Sequence, residues 1–213
     1  MNKNSKKEAK PQKKRVWGYS KYREQISGYD CVPTSFVNAL IYLFERNEIP
    51  AEVVRRIYEY TLDVPKSGAT TVYAIELLSN WLSSFKNDKF AVSIDVQKGT
   101  TVHFEKAPFF TQTKKSTCAL IRVFMGVSTW HFITLFYEKD GWVYCFDPCP
   151  GSKNSQNWKW IQPSELNDGC NLKIKKSHLN KLESDSKFKA GENENRVLVL
   201  IERKSPRKKK GTK

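Results

Sequence analysis

The chain has 213 residues, 39% hydrophobic and 13% aromatic, enough for one sizeable core and too few for two ordinary domains. Its formal net charge of +15 points first to nucleic acid, but fourteen Lys and Arg against a single Glu lie in residues 1–15 and 203–213, which leaves only +2 for residues 16–202. No apolar run approaches the roughly 18 residues needed to cross a bilayer, and no apolar core follows the basic N-terminus, so no transmembrane segment or secretory signal is expected and the default location is cytoplasmic.

Residues 1–15 lack the apolar side chains that offset the entropy of ordering, so a disordered basic tail is predicted there and again over 203–213. Such tails aid solubility or make weak contact with nucleic acid or an anionic surface, and sequence alone leaves that choice open. Residues 16–202 are expected to form the one folded domain.

Within it, residues 17–30 are rich in Tyr, Ser and Gly and read as a loop. A helix is predicted from Cys31, with Pro33 in a first turn where its missing N–H costs nothing, and with Phe36, Val37, Leu40, Ile41, Leu43 and Phe44 at helical spacing up to about Asn47. Further helices are predicted over 50–62 and 71–85. The pattern then changes to short β-branched and aromatic runs, read as strands over 90–96, 118–124, 131–137, 142–146, 172–175 and 197–201. Lys139-Asp140-Gly141 is a hairpin signal that pairs the strand of His131 with the strand leading to Asp147. Residues 97–115 are poorly patterned, and 151–156 and 184–195 read as exposed loops. Helices first and strands after imply an α+β domain, with helices packed on a mainly antiparallel sheet.

Five cysteines, an odd number, argue against a disulfide framework. Cys145 and Cys149 form a Cys-x₃-Cys spacing with no second matching pair, so a closed zinc site is not expected. Cys31 has two readings, a buried structural thiol or a nucleophile activated by the positive end of the helix it begins. A nucleophile needs an imidazole within reach. Of His103, His131 and His178, His131 stands out because it opens the apolar strand Trp130-His131-Phe132-Ile133-Thr134-Leu135-Phe136. The hairpin returns Asp147 close to it, either as an acceptor that orients the imidazole or as a plain turn cap before Pro148. Gln25, six residues before Cys31, offers a side-chain amide that could join the Cys31 N–H in binding an oxyanion, or is simply solvated.

The order Gln25, Cys31, His131, Asp147 resembles that of papain-like cysteine peptidases, and Asp30-Cys31-Val32-Pro33-Thr34-Ser35 is most similar to the motif of bacterial C39-like peptidases, with Val32 where Gly is commoner. His131 through Leu135 and Phe146-Asp147-Pro148 resemble the second motif of that family. The resemblance implies a papain-like fold and a cysteine peptidase in which Cys31 is nucleophile, His131 general base and acid, Asp147 the orienting group and Gln25 the oxyanion donor, acting on a peptide or protein without a cofactor. The same triad would serve an acyltransferase of transglutaminase type, and the fold could also persist as a catalytically silent binding module with basic tails. A β-branched Val32 beside the nucleophile raises the expectation of a narrowed cleft.

Overall fold

The structure, a computed structural model, describes residues 21–64, 70–102, 116–162, 169–183 and 185–205. Three helices come first: α1 (Cys31–Leu43), α2 (Ala51–Thr61) and α3 (Val72–Ser84). Seven strands follow: β1 (Val92–Lys98), β2 (Thr117–Gly126), β3 (Thr129–Lys139), β4 (Trp142–Phe146), β5 (Trp158–Trp160), β6 (Leu172–Lys175) and β7 (Val197–Arg203), with a short helix α4 (Lys176–Leu179) after β6. They form one antiparallel sheet in the order β1-β7-β2-β3-β4-β6-β5. The α+β architecture expected from the sequence is therefore the one observed. β5 is missing from the predicted strands, because three residues at a sheet edge carry too little alternation to register.

Helix α1 is apolar on nearly every side, as a helix must be when it is enclosed by sheet and helices together. Phe36, Ala39 and Leu40 are fully buried against β2 and β3. The helix stops at Leu43 instead of running on to about Asn47. Phe44 becomes extended and stacks on Phe90 at 4.8 Å between ring centroids. A burial site for that ring is worth more than one further turn of backbone hydrogen bonding.

The same place corrects the boundary of the C-terminal tail. Arg203, assigned to a disordered segment from 203 onward, is the last residue of β7 and closes the end of α1. Its guanidinium donates to the Leu43 carbonyl at 2.8 Å, lies 4.5 Å from the Phe44 ring centroid, and forms a two-pronged pair with Glu48 at 2.7 and 3.0 Å. A cation bound to the last carbonyls of a helix opposes the negative end of its dipole. The remainder of that tail from 206 and all of 1–15 lie outside the described residues.

The β3–β4 hairpin forms as the Asp-Gly signal predicts. Asp140 and Gly141 have φ of 53° and 75°, the left-handed pair of a tight turn. Pairing runs from Lys139 with Trp142 to Thr134 with Phe146, interrupted by a bulge between Leu135 and Tyr137. Asp147 therefore leaves the end of β4 beside the first residues of β3.

Candidate active site

Cys31 is the first residue of α1 and is half-buried. The residue before it organises the approach. Asp30 turns its carboxylate back from the helix and accepts hydrogen bonds from the N–H groups of Ile26 (3.0 Å) and Ser27 (2.8 Å) and from the Ser27 hydroxyl (2.8 Å). Burial works against the Asp30 anion, but these donors more than compensate and hold its carboxyl below the usual range. Because Asp30 is used in this way, no side chain caps the N–H groups of the first turn of α1.

Val32 turns inward, away from solvent. It is 2% exposed and belongs to the main core, so the expected narrowing beside the nucleophile is not what its side chain does.

His131 lies near the start of β3, 8% exposed, and its Nε2 donates to Asp147 Oδ1 across 2.7 Å. The carboxylate is wholly buried. That bond leaves Nδ1 free to turn toward Cys31, which lies close enough to act on the ring. Burial is the strongest single influence on the imidazole and disfavours its cation. It is outweighed by the hydrogen bond to Asp147 and the charge of that carboxylate, with neighbouring Cys31 acting in the same direction, which together hold the His131 pKa up to about 10.

Five further hydrogen bonds fix this arrangement, and the sequence assigned none of them. Ser35 donates from its hydroxyl to the Phe132 carbonyl, and Thr134 donates to the Ser35 carbonyl, both at 3.1 Å. These reciprocal bonds lock the first turns of α1 to β3 and so set Cys31 against His131. Asn171 accepts from Asp147 N–H through Oδ1 and donates to the Asp147 carbonyl through Nδ2, each at 2.8 Å. Asp147 Oδ1 also accepts from the Cys149 N–H at 2.8 Å. Asp147 is thus held at backbone and side chain alike.

Gln25 sits beside the same corner. Its N–H donates to the Pro148 carbonyl at 2.9 Å, and the preceding segment is held to α1 by Asn38, which exchanges two hydrogen bonds with the Arg23 backbone at 2.8 and 2.9 Å. The Gln25 Nε2 donates to the Ser27 carbonyl at 2.7 Å. Tyr22 anchors the strap by stacking on Phe136 at 4.7 Å. Gly169, at φ +83°, makes room for that ring, since a Cβ there would lie 3.0 Å from Tyr22 Cε2.

All four residues singled out in the sequence therefore meet at one corner, where the α1 N-terminus faces the β3–β4 pair. His178 lies elsewhere, with its Nε2 on the Lys187 carbonyl, and His103 is outside the described residues. Among the described residues no group of three His, Cys, Asp or Glu gathers as metal ligands. Cys145 is buried, with its thiol directed at the Leu172 carbonyl, whereas Cys149 is exposed.

The peptidase domain of ComA from Streptococcus mutans is a solved structure that this chain resembles. The likeness covers 84% of this chain and 98% of that one, at 11% identity and a TM-score of 0.40. No family model and no curated protein matches the sequence. Among the described residues no helix is long and apolar enough to cross a membrane.

Proposed function

We propose that this chain is a papain-like cysteine peptidase of C39-like type, which hydrolyses a peptide or related amide bond. The observation that supports this reading is the series Cys31, His131, Asp147, in which the imidazole is hydrogen-bonded to a buried carboxylate, lies beside the half-buried thiol and is held as a cation. A positive imidazolium beside the sulfur favours the thiolate, the form that attacks a carbonyl. The tetrahedral oxyanion is received by the Cys31 N–H at the uncapped end of α1 and by Gln25, whose amide keeps one N–H after its bond to Ser27. His131 then gives its proton to the departing amine, leaving an acyl-thioester. In the second half it takes a proton from water, which releases the acid and restores the pair. Asp147 keeps the ring oriented and neutralises its charge throughout.

The test compares iodoacetamide labelling of the wild type with Cys31→Ala and His131→Ala at pH 7. An ordinary thiol is only a few per cent ionised there, so Cys31 should react roughly tenfold or more faster than exposed Cys149 and lose that advantage in His131→Ala. Equal rates for Cys31 and Cys149, or no effect of His131→Ala, overturn the reading.

A further inference from the structure

Past the helices the sheet carries a face whose charged side chains, among the described residues, are all lysines, half-buried or exposed. Residues paired in register share a face, and two rows run across the strands at the β3–β4–β6–β5 end. One row is Tyr137, Tyr144, Lys173, Lys159; the next is Lys139, Trp142, Lys175. Every position is lysine or aromatic. The ammonium groups of Lys159, Lys173 and Lys175 converge on Trp142, at 5.8, 5.4 and 5.8 Å from its ring centroid, and Lys173 also lies 5.8 Å from Tyr144. Tyr137 and Tyr144 stack at 4.8 Å, 13° from parallel.

This arrangement is unfavourable without an anion. Lys159 and Lys173 are directly opposed in register, and like charges so placed repel. Cation–π attraction offsets part of that cost for each ammonium group, but does nothing for the repulsion among the three. A phosphate seated among them removes it. The Trp142 ring beside the lysines supplies what a bare phosphate site does not need, a flat surface for an unpaired base, and this combination on an antiparallel sheet is how single strands are held without sequence readout.

We propose that this face binds single-stranded nucleic acid, with phosphates on Lys159, Lys173 and Lys175 and a base stacked on Trp142. The site is separate from Cys31 and does not depend on the peptidase reading. It also differs from the basic ends of the chain, which have no aromatic surface of this kind.

The test uses the full chain and a fluorescent oligothymidine, with binding followed by anisotropy between 50 and 300 mM KCl. Each lysine that neutralises a phosphate contributes about 0.7 to the slope of log affinity against log salt. Changing Lys159, Lys173 and Lys175 together to Gln should therefore lower the slope by about 2, and Trp142→Ala should weaken binding about tenfold at fixed salt. Unchanged Cys31 labelling rates in both variants establish that they are folded. Wild-type affinity and slope in the lysine variant would place the contact in the basic ends and overturn the proposal. So would a wild type that ignores the oligonucleotide but binds phosphatidylserine vesicles through the same lysines, which would make the face a lipid-headgroup surface.

Discussion

Asn171 is the residue whose removal most cleanly separates holding the site from holding the fold. Its side chain occupies both backbone polar groups of Asp147, each at 2.8 Å, and Asp147 is fully buried. Asn171→Ala leaves a buried N–H and a buried C=O unpaired. Each costs about 1–3 kcal/mol, and because Asn171 itself is only half-buried, water can reach part of the gap, so a total of about 2–4 kcal/mol is expected in urea unfolding. The chemical effect follows from position. If the Asp147 carboxylate drifts by about 1 Å from His131 Nε2, catalytic turnover on any responsive peptide should fall about 100-fold. The decisive readout is the His131 titration, followed by carbon-13 NMR of the imidazole. In the wild type its midpoint is raised to about 10, with Asp147 supplying much of that rise, so the midpoint should move down in Asn171→Ala. Leu172→Ala, a fully buried neighbour in β6, provides the control, since it should lower stability by about 2–5 kcal/mol without moving the titration. If Asn171→Ala destabilises the chain but leaves the His131 midpoint in place, Asn171 supports the fold and does not position Asp147 against His131.

Three other outcomes are expected. Arg203→Ala removes the pair with Glu48, the bond to the Leu43 carbonyl and the contact with Phe44, and should cost about 2 kcal/mol by urea unfolding, more than a substitution in a disordered tail could. Cys118 and Cys145 are fully buried, and burial pushes both thiols well above the usual range, with the Asp147 charge adding to it for Cys145; mass spectrometry should find both unlabelled by iodoacetamide until the chain is unfolded. Asp30→Asn should destabilise at pH 7 by about 2 kcal/mol through the loss of an ionised acceptor. Since the folded carboxyl of Asp30 titrates below its unfolded value, its contribution is complete above the unfolded pKa and disappears as the pH falls through the folded one, so wild type and variant should converge in acid unfolding.

The elements were largely legible because their signals are local. Helical spacing after Cys31 and around Ile57 and Leu78, alternation in the strands, and Asp140-Gly141 at a turn all act within a few residues. So does the pairing of β3 with β4, since a tight hairpin leaves only one register open and thereby carries Asp147 back to His131. The order Gln25, Cys31, His131, Asp147, on which the proposed site rests, was legible from residue type alone.

What the sequence by itself determined was the kind of elements, their order, and which side chains could do chemistry. Tertiary structure decided the rest, because the deciding contacts join residues far apart in the chain and leave no periodic trace. Whether Phe44 extends a helix or turns to meet Phe90 depends on a ring 46 positions later. Whether Arg203 belongs to a tail or to the core depends on Glu48. The seating of Cys31 against His131 rests on Ser35 and Thr134, and that of Asp147 on Asn171, polar residues whose types are common anywhere and whose roles appear only once a backbone group faces them. The sheet face around Trp142 is the same case, since its lysines on β5 and β6 meet that ring on β4 only when the three strands lie side by side.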